Sequence, residues 1–496
     1  MVHIGNLVSG AAWNIGGKII QLTLSLIALA VIARFVGPEA YGIFALGWLV
    51  VGLFEVFVSA APMEALIQRK GIHPGHLDAT FWATLLMALL ISGGVFVFAD
   101  LAVGWLAGSA LLAAILPLRA AVLPLQALAA APTALLLRRS RFKALAGAET
   151  ATSVLSSVVG VGMALTGAGI WSLVAMELVR AAVLCASVYA IARWRPGFAA
   201  RPSHVVDLLA FNATTWGSWG LSYVSSQLPR FLIAAVLDAH AVGFYALAQR
   251  LFEQVKNIVM IPAYQVVQAG IARAQDDTVT SRRLTEGALQ VTGVVSCPLF
   301  LGLAGLAPLL VPAVFGSAWA GAIPVVQVMM VLGILSSMSV VQAAVVRGMG
   351  KPHWELVYEA VLLIVTTVLM MLAVPHGLVI ATAAVVLSAA VAAPVAALLV
   401  RVLTGLSIRA QMKAGFGAGF ASLAMAGGVW LVGLYLAAVA SPAVCVTALV
   451  VVGASLYWAM LSCTMPAAAR ATNCIAQAAL RRDSSALRAM LATIMK

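Results

Sequence analysis

The sequence predicts an all-α integral membrane protein of about fourteen transmembrane helices, arranged as two pseudo-symmetric six-helix lobes plus two C-terminal helices. Three observations predict it: a composition too poor in charge for a soluble surface, a succession of apolar runs of bilayer length, and an internal repeat at a fixed offset.

Of the 496 residues, 63% are hydrophobic and 9% are charged, and the mean hydropathy is +1.07. A soluble domain carries about 25% charged residues, so a chain this long could not cover a soluble surface and takes lipid as its solvent. The net charge of +13 would suit a nucleic-acid partner, but the basic residues sit in short clusters between apolar runs rather than on one polar domain. They read as topology signals, and no nucleic acid is expected. Cys185, Cys297, Cys445, Cys463 and Cys474 are scattered without a CxxC pair, so neither metal, redox cofactor nor disulfide framework is indicated. The first apolar run, about 11–35, is too long for a signal-peptide core and is expected to stay as a helix.

A bilayer core takes about 20 apolar residues per helix. Runs of that order fall at 11–35, 41–61, 79–99, 108–137, 147–167, 169–192, 209–237, 241–263, 285–314, 322–346, 355–374, 377–400, 414–438 and 442–463. Trp82, Trp105, Trp171, Trp194, Trp319 and Trp354 stand near their ends, where amphipathic rings favour the headgroup layer. Alternate connections then carry Arg69 and Lys70, the Arg138–Lys143 cluster, Arg193 to Arg201, Arg273 to Arg283, Arg347 with Lys351, and Arg401 to Lys413; the tail adds Arg470, Arg481, Arg482, Arg488 and Lys496. The other side holds Arg34 alone. With an even number of spans, the positive-inside rule puts both termini in the cytoplasm.

The outer connections are short, as at Gly167-Ala168 and Pro375-His376-Gly377, and their acids are Glu39, Asp100 and Asp238. A membrane glycosyltransferase or polymerase would need a large or carboxylate-bearing outer loop. No paired carboxylates, Ser/His/Asp set or phosphate loop stands out, and an enzyme is not expected.

Shifting the chain by 201 residues lays Val36-Gly37-Pro38-Glu39-Ala40-Tyr41-Gly42 on Leu237-Asp238-Ala239-His240-Ala241-Val242-Gly243, the outer turns before spans two and eight. The same shift lays the stripe Asn14, Lys18, Gln21 and Ser25, one face of span one, on Thr215, Trp219, Ser222 and Ser226 of span seven. Six spans per repeat gives both halves the same orientation and a site between them. The expected organisation is an N-terminal lobe over 1–200, a second lobe over 201–405, two additional helices over 406–465 and a cytoplasmic tail over 466–496.

These residues bring out a resemblance. Ala33-Arg34-Phe35-Val36-Gly37-Pro38-Glu39-Ala40-Tyr41-Gly42, Ala65-Leu66-Ile67-Gln68-Arg69-Lys70, Leu77-Asp78 with Phe81-Trp82, Arg138-Arg139-Ser140-Arg141-Phe142 and Gly243-Phe244-Tyr245-Ala246-Leu247-Ala248 resemble the polysaccharide-biosynthesis flippase family of the multidrug/oligosaccharidyl-lipid/polysaccharide exporter superfamily. One departure is Pro229-Arg230, where the family often places an Asp-Arg pair. The resemblance implies movement of an undecaprenyl-pyrophosphate-linked repeat unit for exopolysaccharide or O-antigen synthesis by alternating access. Its partners would be the lipid-linked oligosaccharide, membrane lipids, a proton or sodium gradient, and a polysaccharide polymerase with its export machinery. A cation-coupled multidrug exporter and a peptidoglycan-precursor flippase are the alternatives on the same fold.

Ionisable residues inside spans are costly and mark candidate sites. Lys18 lies about 10 Å from the inner end of span one, and Arg119 about 16 Å into span four with Gln126 two turns on, at about 1.5 Å per residue. Pro117 and Pro124 flank Arg119 and are expected to kink the span. With Arg230, Arg250, Asn14, Gln21, Gln126 and Trp219, these cations are the expected substrate-binding set, since arginine's planar fork suits phosphate. Glu253 and Lys256 follow Arg250 closely enough to neutralise it, and Glu177 with Arg180 reads as a local pair. Glu55 and Lys256 hold opposite charges at repeat-related positions and are expected to form an inner gate.

Overall fold

The structure is a computed structural model that describes residues 21, 23–68, 71–105, 110–199, 220–436 and 442–466. Its regular elements are helical throughout. In order they are α1 (Thr23–Val36), α2 (Pro38–Glu55), a π-helical turn (Val56–Ala60), α3 (Ala61–Gln68), α4 (Pro74–Trp105), α5 (Ala110–Ala120), α6 (Val122–Arg138), α7 (Phe142–Leu165) and α8 (Trp171–Ala192). There follow α9 (220–236), α10 (Ala239–Arg273), α11 (Thr278–Phe315), α12 (Ile323–Gly348), α13 (Pro352–Ala373), α14 (Leu378–Thr404), α15 (Ile408–Leu436) and α16 (Pro442–Thr464).

Among the described residues, 11 helices are long and apolar enough to cross a membrane. The fourteen read from the sequence include α1, α9 and α10 as spans one, seven and eight. Within the described residues α1 is shorter than a bilayer span. The long α10 carries Arg250, Glu253 and Lys256 within one stretch, so its composition is not that of a plain apolar span.

The chain divides into two compact units, Met1–Gly243 and Phe244–Lys496. This division follows packing, whereas the boundary near 200 follows the repeat. The difference is α9, which is tied to α2 in the first unit: Tyr223 Oη donates to the carbonyls of Trp48 and Leu49 at 3.3 and 3.0 Å, over the bare backbone of Gly52.

In the first unit, α2 begins at Pro38 after Gly37, whose φ of 78° is open to glycine at little cost. One turn on, a Cβ on Gly42 would strike the carbonyl of Ala239, and a Cβ on Gly243 would strike that of Pro38. These two contacts are related by the 201-residue offset, so the repeated glycines mark where the two outer turns cross at backbone distance. The π turn after Glu55 also has a local cause. Pro62 has no N–H to return to Val58, and Ser59 Oγ donates to the Glu55 carbonyl at 2.8 Å.

The predicted kink in span four is a break at Ala121, between α5 and α6. Pro124 removes the donor that would meet the Ala120 carbonyl, and Ser92 Oγ of α4 supplies one instead at 2.8 Å. Just after α8, the buried Asp78 carboxylate accepts from the amides of Gly197 and Ala199 at 2.9 and 3.2 Å, while Trp82 Nε1 donates to the Gly197 carbonyl at 2.9 Å. Together they fix the chain as it leaves α8.

In the second unit, α11 is capped by Asp277, whose carboxylate accepts from the amides of Val279 and Thr280. The two additional helices dock here through small residues, the usual means of close approach in membranes. Gly293 of α11 faces Gly415 of α15, Gly305 faces Ala426, and Tyr457 Oη of α16 donates to the Val294 carbonyl at 2.7 Å. A buried amide network adds polarity: Gln342 Nε2 donates to Gln411 Oε1 at 3.0 Å, and Gln411 Nε2 donates to the carbonyls of Ala397 and Leu406, each at 3.0 Å.

Candidate functional site

The charges inside the first unit gather around Arg119. Its side chain is 2% exposed, the most enclosed cation among the described residues. Nη2 donates to Glu55 Oε1 at 2.9 Å, and Nη1 donates to Glu177 Oε2 at 3.5 Å. Each carboxylate is 19% exposed. Gln126, one break and two turns beyond Arg119, and Arg180 of α8 are both near enough to act on the Glu55 charge. Three helices that are remote in sequence therefore converge: α2 at its π turn, α5 just ahead of its break, and α8.

The two backbone irregularities position this cluster. Glu55 is the last residue of α2 proper, and Arg119 lies two residues before Ala121. A π turn widens the helix locally, and a proline break frees backbone groups; both redirect the side chains beside them. Arg119 Nε and Gln126 Oε1 are buried without a hydrogen-bond partner, so the cluster is not internally saturated.

Several sequence expectations change here. Arg119, expected among the substrate-binding donors, is held by two carboxylates that offset its charge. Glu177 was expected to pair with Arg180 three residues away; it is bonded to Arg119 instead, because the buried guanidinium from α5 already faces it. The expected Glu55–Lys256 gate has different partners in this conformation. Glu55 is on Arg119, and Lys256 Nζ is 2.8 Å from Glu253 Oε2, one turn along its own helix.

Arg230 is 8% exposed and stacks its guanidinium 5.9 Å from the Trp48 ring, a cation–π contact that holds α9 to α2. Gln21 Nε2, just ahead of α1, donates to Thr150 Oγ1 of α7 at 3.1 Å. Arg250 is exposed on α10 in the second unit. Asn14, Lys18 and Trp219 lie outside the described residues, as does the tail from 467 onward.

The sequence reading did not single out Trp48 or Tyr223, which hold α9 against α2. The one signal available was Gly52, a glycine within an otherwise bulky apolar run.

Residues 31–324 match the family described as polysaccharide biosynthesis protein. Among similar proteins, the succinoglycan biosynthesis transport protein ExoT of Rhizobium meliloti is 29% identical over 325 residues, 65% of each chain. The lipopolysaccharide biosynthesis protein WzxC of Escherichia coli is 26% identical over 343 residues, 66% of this chain and 67% of that protein. The matched region thus spans about two thirds of these relatives' length. Among solved structures, the lipid II flippase MurJ in an inward closed conformation superposes with a TM-score of 0.73 at 16% identity, over 90% of this chain and 97% of MurJ. An inward-facing multidrug resistance MATE transporter superposes at 0.61 and 14% identity, over 79% of this chain and 96% of the transporter. At these identities the superpositions speak to the fold alone: this chain shares the helical architecture of these two transporters. The family match spans more than half of the chain, and the protein is therefore a member of the polysaccharide biosynthesis protein family.

Proposed function

We propose that this protein moves an undecaprenyl-pyrophosphate-linked oligosaccharide repeat unit from the cytoplasmic to the periplasmic leaflet of the bacterial inner membrane, by alternating access, for exopolysaccharide or O-antigen synthesis. The observation that carries the reading is the gathering of intramembrane charge from α2, α5 and α8 in an exporter fold. Charge at that depth is retained where a polar cargo or ion must pass. The family membership supplies the sugar-lipid class, since ExoT and WzxC are named for succinoglycan transport and lipopolysaccharide biosynthesis.

In this reading Arg119 is the strut that orients Glu55 and Glu177, and Lys18, Asn14, Gln21, Trp219, Arg230 and Arg250 remain candidate contacts along the cargo's path. Closing a gate between Glu55 and Lys256 would require each to exchange its present partner. Both termini lie in the cytoplasm, and coupling to protons or sodium and coordination with a polymerase complete the proposal. A cation-coupled drug exporter would be favoured by isolated deep carboxylates, but Glu55 and Glu177 share one arginine.

A deletion strain tests the proposal. Loss of the gene should stop surface polysaccharide and leave lipid-linked repeat units accumulated on the cytoplasmic face, with rescue by the intact gene. Undiminished export in a strain without a second such gene would overturn it.

A further inference from the structure

Helix α8 carries a charge that its own sequence hides. With Glu177 bonded to Arg119, Arg180 is left without the partner expected three residues away. Among the described residues it makes no ion pair or hydrogen bond of its own, and it is exposed. It is the tenth residue of a 22-residue span, roughly 14 Å from the outer end at about 1.5 Å per residue. A bare guanidinium at that depth facing hydrocarbon would be costly, so the direction it faces decides its role.

That direction follows from helical geometry. The other exposed residues along the helix, Trp171, Ala182, Ala186 and Ala190, form an apolar stripe. At about 100° per residue that stripe is centred roughly 135° away from Arg180, whereas Glu177 is only about 60° away. The apolar stripe is the natural lipid-facing side. Arg180 therefore emerges on the opposite side, with the charged cluster, where its field reaches Glu55.

We propose that Arg180 is the cation by which the first unit holds a phosphate group of the cargo, on a water-accessible face of α8. The assignment rests on the flippase reading for the identity of the anion, and on the geometry alone for its exposure to water. Arginine fits here because its fork can engage two phosphate oxygens at once. Arg119 then has a purpose beyond packing: by occupying Glu177, it keeps Arg180 available.

Two measurements on the full-length protein test this. First, with the five native cysteines replaced by alanine, a cysteine is placed by Arg180→Cys or by Ala186→Cys, and membranes are treated with an anionic, water-soluble thiosulfonate. The position-180 variant should react and the position-186 variant should not; an inert position 180 overturns the proposal. Second, purified protein in micelles is titrated with undecaprenyl pyrophosphate, with phosphatidylglycerol as the ordinary phospholipid control. Arg180→Gln should weaken pyrophosphate-lipid binding by about tenfold or more, the scale of a lost charge-assisted contact, and Arg180→Lys by less. Its thermal unfolding should match wild type, because nothing among the described residues is bonded to Arg180. Equal binding by Arg180→Gln and wild type overturns this assignment while leaving the flippase reading in place. Failure of the wild type to prefer undecaprenyl pyrophosphate over phosphatidylglycerol overturns both.

Discussion

Replacing Arg119 with methionine keeps most of the side-chain volume and removes the charge between Glu55 and Glu177. In the wild type the guanidinium contacts these carboxylates at 2.9 and 3.5 Å and is itself 2% exposed. Removing one member of a buried ion pair costs about 3–5 kcal/mol, because the charges left behind are desolvated and uncompensated. Both carboxylates are 19% exposed, which admits some water and places the expected loss near the lower end, about 3 kcal/mol. The triple variant Arg119→Met, Glu55→Gln, Glu177→Gln removes the stranded charges as well, and should recover to within about 1 kcal/mol of wild type. Reversible unfolding in mixed micelles, followed by circular dichroism over an increasing fraction of denaturing detergent, measures all three proteins on one scale. A single variant as stable as wild type, or a triple variant as unstable as the single, would refute the reasoning that Arg119 exists to compensate these two acids.

Other outcomes follow from the packing. Gly42→Val should lower thermal stability by about 1–3 kcal/mol, the usual cost of overpacking, because its branched side chain would meet the Ala239 carbonyl; circular dichroism melts of the purified variant would read it. Gln411→Leu leaves Gln342 and two carbonyls without their partner in a buried site and should cost about 1–3 kcal/mol, with faster hydrogen exchange where α15 meets α12 and α14. Hydrogen bonds from Thr280 hold the Asp277 carboxyl below its ordinary range. A carboxyl depressed in the folded state contributes stability above its unfolded pKa and loses it as pH falls through the lower folded value. Amide exchange in the first turn of α11 should therefore quicken, relative to intrinsic rates, as pH is lowered through that acidic window. Asp277→Asn should abolish that pH dependence while keeping the turn formed.

Much of the fold was legible because bilayer length and charge asymmetry act on whole segments. The apolar runs located the helices, and the 201-residue repeat picked out Gly42 and Gly243, where backbones do meet closely. Prolines 117 and 124 announced the irregularity in span four, though not that Ser92 would cap the freed carbonyl. Partners of buried charges were not legible. Arg119 is 64 residues from Glu55 and 58 from Glu177 in sequence, so local spacing says nothing about their contact. Spacing misled at Glu177 and Arg180, because an i, i+3 pair yields to a buried guanidinium arriving from another helix. The tie of α9 to α2 was equally hidden, since Tyr223 and Gly52 are far apart in sequence.

The central claim is transport of a lipid-linked sugar, and reconstituted flipping tests it most directly. Purified protein is placed in proteoliposomes carrying an undecaprenyl-pyrophosphate-linked oligosaccharide, and a membrane-impermeant glycosidase is added outside. With the protein present, the fraction of substrate cleaved should rise from the half already exposed toward completion, and Arg180→Gln should slow that rise. Cleavage that stays at the exposed half with active, correctly folded protein would contradict the account.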